Sequence, residues 1–279
     1  MDAYYYLIAG LPDISLEDGK LSYTVDSFKS EIYPELSDKD KKIVDLFYLK
    51  FDNDNLLHLL KDKDYTIKTP GVFTADDLLT LIDTVKEGDV PDKKYPSYFC
   101  KFISEYFTLS PEDEYRANDI LASDYYSYAM KSRNKFVSSW FEFNLNINNI
   151  QAAISARKYK LDVASAIVGH TDVCELLRTS NARDFGLGET LTYLENIQRI
   201  SEIDDLVERE KKIDQLKWDW LDTESFFNYF TVERLFVFLL QLEMIERWIS
   251  LDKDKGYELF RAMIKALKDD VQIPEEFRN

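Results

Sequence analysis

Between Pro111 and Gly169 the sequence contains neither proline nor glycine, the two residues that most often interrupt a helix. Within this stretch, large apolar residues recur at steps of three and four, followed by one full heptad. They are Phe136, Trp140, Phe143, Ile147, Ile150, Ile154 and Leu161. This spacing predicts one or two long amphipathic helices with a wide apolar stripe, interrupted near residues 132–134. We therefore expect an all-α fold of elongated helical bundles, organised around residues 134–161.

The same stretch carries an unusual number of side-chain amides where a surface helix normally carries Glu and Lys. They are Asn144, Asn146, Asn148, Asn149 and Gln151. Asparagine is a mediocre helix former because its side chain competes for backbone hydrogen bonds. So many amides predict polar contacts with neighbouring helices. Amides that are simply solvated are the alternative, and the sequence leaves both interpretations open.

Composition agrees with a helical protein and limits its partners. Hydrophobic residues make up 45 % of the 279 residues, and only 8 Gly and 7 Pro are present, which argues against a turn-rich all-β protein. The net charge of −17 at pH 7 repels nucleic-acid phosphates and anionic lipid headgroups. We therefore expect no nucleic-acid partner. Basic proteins fit this charge better, and plain solubility explains most of it.

The cysteines and the apolar runs bear on location. Cys100 and Cys174 are the only cysteines and form no CxxC motif, which fits a reducing cytosol. We expect no signal peptide, because no basic region followed by an apolar run opens the sequence. The longest purely apolar run, Leu235 to Leu240, is much shorter than the roughly 20 residues of a membrane span. We therefore expect the protein to be cytoplasmic and not to span a membrane.

Local signals place the ends of further helices. Helices are expected to start at Ser37, Thr74, Ser97 and Thr231, and a further short helix is expected to start at Thr171 or Asp172. Gly88 is expected to end the helix that Thr74 begins. The helix after Thr231 is apolar nearly all round, which predicts a place in the middle of a bundle.

Further expectations concern a break in one helix, the start of another and the two ends of the chain. Residues 52–55 (DNDN) are expected to break the helix that starts at Ser37, and Ser110–Asp113 to start the next long helix. Residues 4–9 are expected to form a strand or an extended segment. A last amphipathic helix is expected over Tyr257–Leu267. We predict three helical subdomains, and they cover residues 1–96, 97–185 and 186–279.

The motifs that usually carry chemistry are missing from the sequence. There is no GxxxxGK[ST] loop, no GxGxxG and no GxSxG. His58 and His170 do not have the HExxH or ExxH spacing of zinc and di-iron sites, so we expect a packed residue and a turn residue. Cys100 and Cys174 are expected to be buried structural thiols. We therefore predict no catalytic residue, no cofactor and no metal ligand.

One acidic motif keeps an enzyme open as an alternative. Residues 204–208 (DDLVE) have the DDxxE spacing with which isoprenoid synthases hold magnesium and diphosphate, with carboxylates on one face of a helix. Those enzymes need a second metal motif on a facing helix. The nearest candidate, residues 118–122 (NDILA), has Ala where a ligand Ser is expected. An acidic, solvated helix surface is the simpler interpretation.

The middle of the chain resembles a known family at residues 149–158 (NIQAAISARK). This segment is similar to a helix in the d-type central rotor subunit of V-type and A-type ATPases. That family carries an acidic residue, then Asn three positions later, then a hydrophobic run that ends in Arg-Ala-Lys. Asn149 is followed by Ile150, and Asn149, Ala156 and Arg157 fall on the Asn, Ala and Lys positions. Asn146 stands in place of the acid, and Ser155 in place of the Arg.

The start of the chain carries a second resemblance. Residues 4–12 (YYYLIAGLP) resemble the start of an uncharacterised bacterial family that is encoded beside V-type ATPase genes. We interpret that family as a shortened, divergent relative of the d-type rotor subunit. The resemblance implies helical bundles in a funnel around a pseudo-threefold axis.

The resemblance also implies a function without chemistry. The d-type subunit sits on the cytoplasmic face of the membrane rotor ring, holds the central shaft and transmits torque between ATP hydrolysis and ion transport. The expected partners are the central-shaft subunits and the rotor ring, and the expected location is peripheral to the inner membrane. The coupling ion, proton or sodium, stays open. A soluble helical scaffold unrelated to rotary ATPases is the leading alternative, and the magnesium-dependent diphosphate enzyme is the third.

Overall fold

A computed structural model describes residues 4–69, 71–110 and 112–251, and these residues form α-helices and no strand, so the predicted all-α fold is confirmed. The helices are α1 (Tyr5–Ala9), α2 (Val25–Ser27), α3 (Asp38–Lys61), α4 (Ala75–Glu87), α5 (Ser97–Tyr106), α6 (Ala117–Ala129), α7 (Lys135–Lys158), α8 (Asp172–Thr179), α9 (Leu194–Ser201), α10 (Leu206–Glu224) and α11 (Val232–Ser250). None of these helices combines the length and the apolar composition that crossing a bilayer requires. The predicted helix over Tyr257–Leu267 lies outside the described residues.

The chain divides into two compact units. The first unit combines residues 1–36 with residues 228–279, and the second is the continuous stretch 37–227. The sequence predicted boundaries near residues 96 and 186, which both lie within the second unit; the three-part division stays a prediction.

In the first unit, α11 is the longest described helix. All its side chains from Leu235 to Leu242 are buried, as the all-round apolar pattern indicates. The N-terminal residues bond to α11 and to the segment just before it through two backbone donors. The Val25 N–H donates to the Glu246 carboxylate at 2.8 Å, and the Tyr4 N–H donates to the Phe230 carbonyl at 2.7 Å.

The second unit is built around α7. α3 to α6 pack in one group, in which α3 contacts α4 and α6, and α5 contacts both α4 and α6. α7 contacts α6 of this group and also contacts α8, α9 and α10. Since α7 touches both groups, it holds the unit together.

The interior of α7 matches its predicted stripe over most of its length. Trp140, Phe143, Ile147 and Ile150 are buried, whereas Phe136 and Ile154 are only half-buried. The Phe143 ring stacks on Trp220 of α10 with 4.8 Å between ring centroids. Burying one such side chain contributes about 1.5–3 kcal/mol. Val137, Phe141 and Leu145, which lie outside the stripe, are buried as well, so α7 is covered on more than one face. The helix ends at Lys158, and the predicted last position of the stripe, Leu161, is exposed and lies outside it.

The predicted helix ends are mostly confirmed. The side chains of Ser37, Thr74 and Thr171 each accept a backbone N–H from the first turn of their helix. Gly88 ends α4 with φ +80, a left-handed conformation that glycine adopts without strain. The break near residues 132–134 separates α6 from α7, as predicted.

Three further predictions of local secondary structure are wrong. Residues 5–9 are helical because the backbone bonds internally, from Ile8 N–H to the Tyr4 carbonyl, and no described strand is present to pair with them. α6 begins only at Ala117: the Ser110 hydroxyl donates to the Asp113 carboxylate instead of capping a helix, and a short 3-10 turn, Glu114–Arg116, precedes α6. The third is the break at residues 52–55, since α3 runs through them.

Three of the four polar residues at 52–55 are buried because each meets a partner elsewhere in the unit. Asp52 accepts the Val72 N–H at 2.6 Å and the Phe73 N–H at 3.1 Å. Asn53 accepts the Tyr98 hydroxyl at 2.7 Å. The Asn55 side chain donates to the carbonyl of residue 69 at 3.0 Å. The loop at 69–73 and α5 supply hydrogen bonds that replace those these side chains would make with water. The polar residues can therefore be buried within α3 without interrupting it.

Candidate functional site

The residues that carry the family resemblance lie on the side of α7 that faces the connection to α8. Ile150 and Ala156 are buried in the core. Asn149 and Arg157 lie about 12 Å apart along the helix axis, at the rise of 1.5 Å per residue. Both side chains bond to the segment that follows α7.

Asn149 fixes the turn before α8. Its Nδ2 donates to the Val168 carbonyl at 2.7 Å, and its Oδ1 accepts the Val168 N–H at 3.0 Å. The side chain therefore pairs with one residue as a neighbouring backbone would. Gly169 follows with φ +89, and a Cβ at this position would lie 3.3 Å from Leu145.

Cys174, on the first turn of α8, completes this contact. Its thiol donates to the Val168 carbonyl at 3.3 Å and lies 3.4 Å from Asn149 Nδ2. The Thr171 hydroxyl caps α8 by accepting the Cys174 N–H at 3.2 Å. Cys174 is fully buried, as the sequence predicts for a structural cysteine. Cys100 is only half-buried, so the same expectation is wrong for it.

Arg157 fixes the chain beyond α8. Its Nη1 donates to the Ala182 carbonyl at 2.6 Å, and its Nη2 donates to the Ser180 carbonyl at 2.5 Å. Its guanidinium covers the ring of Phe185, with Cζ 3.6 Å from the ring centroid. Burial lowers the pKa of Arg157, although an arginine stays protonated at neutral pH.

Phe185 has a backbone conformation that is rare for its type. Its φ is +57, and Gly186 follows with φ +72. A left-handed conformation costs a non-glycine residue on the order of 1 kcal/mol, so the surrounding contacts have to hold it. The buried ring and the guanidinium above it supply those contacts.

Arg178, on α8 itself, is the third side chain that bonds to this segment. Its Nη2 donates to the Ile167 carbonyl at 2.9 Å and to the Gly169 carbonyl at 2.6 Å. The segment from 167 to 185 is thus held by Asn149, Arg157 and Arg178, and we call this set the brace. Sequence reasoning named Asn149 and Arg157 but missed Arg178 and the backbone partners, because nothing local marks which carbonyls a distant side chain will reach.

The amides in the middle of α7 contact other helices, as one interpretation of the sequence predicted. Asn144 and Asn148 both donate to the Tyr126 hydroxyl, at 2.8 Å and 3.2 Å. Asn146 donates to the Tyr193 hydroxyl at 3.1 Å. Burial raises the pKa of Tyr126 to about 12, and burial also raises the pKa of Tyr193. Both tyrosines therefore stay protonated at neutral pH.

The acidic motif at 204–208 has a structural use. Asp205 is the N-cap of α10 and accepts the Glu208 N–H at 2.9 Å, while Asp204 precedes the helix. The carboxylates therefore do not share one helix face, contrary to the expectation. Within the described ranges, no group of three or more His, Cys, Asp or Glu side chains has the arrangement to hold a metal ion.

The histidines stand apart from the brace. His58 is exposed and stacks on Tyr65 with 4.4 Å between centroids, so the expected packed position is wrong. His170 is exposed in the turn between Gly169 and Thr171, as expected. The side chains of Asn149, Arg157 and Arg178 all bond to backbone groups of the segment 167–185. This arrangement fixes the position of that segment against α7.

Comparison with known proteins gives one result at the level of the family. No curated protein and no solved structure matches the chain. A family model does match residues 1–271, which is nearly the whole chain, and it describes a protein of unknown function. The chain therefore belongs to the family DUF2764.

Proposed function

We propose that this protein is a non-catalytic central-stalk subunit of a bacterial V-type ATPase. It links the central shaft to the membrane rotor ring and transmits torque for ATP-coupled ion transport. It works on the cytoplasmic side, peripheral to the inner membrane through the ATPase complex. Its own residues bind neither a cofactor nor a metal in this role.

The observation that carries the proposal is the position of Asn149 and Arg157. These residues stand at motif positions of the resemblance to the d-type rotor subunit, and both belong to the brace. A motif with a mechanical role is expected to hold one part of a protein against another. The contacts to Val168, Ser180 and Ala182 support that interpretation.

A torque-transmitting part has to resist deformation, and the helices supply the physical means. α7 has 24 residues and is therefore about 36 Å long. Close-packed protein interiors have low compressibility and transmit strain. The aromatic contacts to α10 and the amide contacts to α6 hold α7 along its length. The charge of −17 favours basic surfaces on the shaft or the ring.

The test is assembly with the shaft. The protein is co-expressed with the two central-shaft subunits of the same organism's V-type ATPase, and the mixture is separated by size-exclusion chromatography at about 150 mM and 500 mM salt. A complex that elutes together at both salt concentrations is expected. An unrelated acidic helical protein of similar size and charge serves as the control, because charge alone attracts basic proteins at low salt.

A second arm uses the detergent-solubilised rotor ring in place of the shaft. Separate elution from both the shaft and the ring at micromolar concentrations contradicts the proposal. The function as a soluble helical scaffold would then be the better explanation. Binding that the control protein reproduces also contradicts it, since the interaction would then depend on charge alone.

A further inference from the structure

Charge is distributed unevenly along the chain. Residues 125–161, which contain α7 and the turns at both of its ends, carry six Lys or Arg residues and one acid, Glu142. Their net charge is therefore +5, and since the whole chain carries −17, all other residues together carry −22. Charge complementarity favours an acidic partner at this region, in contrast to the rest of the chain.

Three of these cations lie close together in the turn between α6 and α7. Lys131, Arg133 and Lys135 occupy alternate positions of a five-residue stretch, and all three side chains are exposed. We call them the basic turn. Within the described part of the chain, none of the three forms an ion pair with a carboxylate. Each side chain therefore presents its charge to the solvent.

Acids of the same unit do not neutralise the basic turn. α10 passes this end of α7, because Trp220 packs on Phe136 with 5.7 Å between ring centroids. Asp219, next to Trp220, bonds within α10, and no acid of this described helix forms an ion pair with the basic turn. Asp124, the last acid before the basic turn, pairs with Lys101 of α5 at 2.5 Å. The basic turn thus keeps its positive charge.

The basic turn is unfavourable for the helix that follows it. The N-terminal end of a helix carries a partial positive charge, so acids stabilise it and cations destabilise it. Lys135 is the first residue of α7, Arg133 stands just before the Asn134 cap, and the first turn of α7 contains no acid. Lys131 differs, because it follows the C-terminal end of α6, where a cation is favourable. Helix formation therefore does not explain Arg133 and Lys135, and residues that break a local rule of stability are expected at functional sites.

The rest of the chain decides which kind of anion fits the basic turn. A nucleic acid or an anionic bilayer extends far beyond five residues, so it would also meet the other residues, whose charge is −22. A second copy of this chain brings a net repulsion for the same reason. An acidic segment of a few residues meets the basic turn alone, because charges more than about 8 Å away are largely screened at physiological salt.

We propose that the basic turn docks a short acidic segment of a protein partner. Glu or Asp side chains of that segment form ion pairs with Arg133 and Lys135, and they also lie at the positive end of the α7 dipole. Lys131 adds a third positive charge to the same surface. This contact goes beyond the proposed rotor role and does not rest on it.

The probe is a fluorescently labelled peptide of about eight residues built from Glu, Ser and Gly, which spans roughly 25 Å when extended. The same peptide with Gln in place of Glu is the neutral control. Fluorescence anisotropy measures binding to the full chain at about 150 mM salt, where distant charges of the chain are screened. Wild-type protein is expected to bind the Glu peptide with a dissociation constant below about 1 mM and to leave the Gln peptide free.

The decisive comparison is between two double variants with the same change of charge. Arg133→Glu with Lys135→Glu reverses two charges of the basic turn, and binding of the Glu peptide is expected to weaken at least about tenfold. Lys158→Glu with Lys160→Glu reverses two exposed lysines at the other end of α7, about 36 Å away. Because only the overall charge changes in this control, its binding is expected to stay within about twofold of wild type.

The stability of the same variants separates a docking role from a structural one. The helix dipole predicts that Arg133→Glu with Lys135→Glu keeps the fold and raises the urea midpoint of unfolding by about 0.2–0.5 M. The control pair stands at the negative end of the dipole, so its reversal is expected to lower the midpoint by a similar amount. A loss of binding together with a gain in stability supports the docking role.

Several results overturn the proposal. The first is that the Glu peptide does not bind to wild type. The second is an equal loss of binding in both double variants, because the peptide would then respond to net charge alone. The third is a lower urea midpoint for Arg133→Glu with Lys135→Glu, because the cations would then serve the fold.

Two further measurements address other occupants. A single-stranded DNA of about 20 nucleotides, and vesicles of phosphatidylglycerol and phosphatidylcholine, are tested with the same variants. Tighter binding of either one through Arg133 and Lys135 overturns the proposal in favour of that class of partner. A wild-type dimer in light scattering that the same variant turns into a monomer overturns it as well.

Discussion

Arg157 covers the ring of Phe185, with its guanidinium carbon 3.6 Å from the ring centroid, while its nitrogens bond to the Ser180 and Ala182 carbonyls. One side chain at the end of α7 thus holds both a strained residue and the chain that leads to it. The guanidinium can do this because it is planar, with an open face for a ring and donors along its edge.

Replacing Arg157 by lysine therefore removes more than a conservative change would suggest. A lysine ammonium cannot cover the Phe185 ring and bond to two carbonyls at the same time. We expect Arg157→Lys to lower the free energy of unfolding by about 1–2 kcal/mol. Urea denaturation followed by tryptophan fluorescence measures this, because Trp140, Trp218 and Trp220 lie in the same unit.

Arg199 provides the matched control for that substitution. It pairs with Glu195 one turn away on the surface of α9, and its side chain is largely exposed. Arg199→Lys is expected to change the free energy of unfolding by no more than about 0.5 kcal/mol. Equal effects of the two variants would show that Arg157 contributes only its charge.

Asn149→Ala is expected to loosen the turn before α8. The variant leaves the Val168 N–H without its acceptor and the Val168 carbonyl with only the Cys174 thiol as a donor, at a cost of about 2 kcal/mol. Native-state hydrogen exchange at the Val168 amide should become faster than the exchange of the buried amides in α7. Asn148→Ala is the control, since Asn148 is exposed and bonds to the Tyr126 hydroxyl.

Gly71→Ala tests how tightly the loop before α4 is held against α3. A Cβ on residue 71 would lie 2.1 Å from Asp52 Oδ1. Asp52 cannot turn away without losing the Val72 and Phe73 N–H groups, so we expect a loss of about 1–3 kcal/mol. Gly19→Ala meets no atom within 4 Å and should be nearly neutral in the same denaturation assay.

Asp77 predicts a dependence of stability on pH. Its hydrogen bonds with Lys94 and with Thr74, the cap of α4, lower the pKa of its carboxyl to about 2. Because this pKa is lower in the folded state, the stabilisation is fully present above the unfolded pKa of about 3.9 and is lost as the pH falls toward 2. The group is partly exposed and screened by solvent, so the total effect is on the order of 0.5 kcal/mol.

The measurement for Asp77 compares wild type with Asp77→Asn in urea at several pH values. The difference in free energy of unfolding should be constant from pH 7 to about pH 5 and should shrink by about half near pH 3. A difference that does not change with pH would mean that the carboxylate charge contributes nothing.

The helical architecture followed from the sequence because its signals are local. The apolar stripe of α7 and the caps at Ser37, Thr74 and Thr171 act within one or two turns, so periodicity and capping rules suffice. The polar residues at 52–55 misled the prediction for the opposite reason. Their partners, in the loop at 69–73 and at Tyr98, stand many residues later, and only tertiary contact makes such buried polar side chains compatible with a helix.

Of the candidate site, the sequence predicted the side chains on α7 but not the groups that they contact. The resemblance to the d-type rotor subunit pointed to Asn149 and Arg157, and both residues belong to the brace. The positions of Val168 and Phe185 opposite them depend on how the chain turns after α7, where Lys160 has φ +56 and Gly169 φ +89. A glycine such as Gly169 marks a turn in the sequence, but it does not show which backbone groups the turn places opposite Asn149 and Arg157.

The division of the first unit between the two ends of the chain has a consequence during synthesis. The Val25 N–H and the Tyr4 N–H find their acceptors, Glu246 and the Phe230 carbonyl, only after the whole stretch 37–227 has been translated. At about 5–20 residues per second, the N-terminal segment waits roughly 10–40 s beside the ribosome for its partner. During that time the continuous unit can fold, and the exposed tyrosines of the N-terminus are open to chaperones.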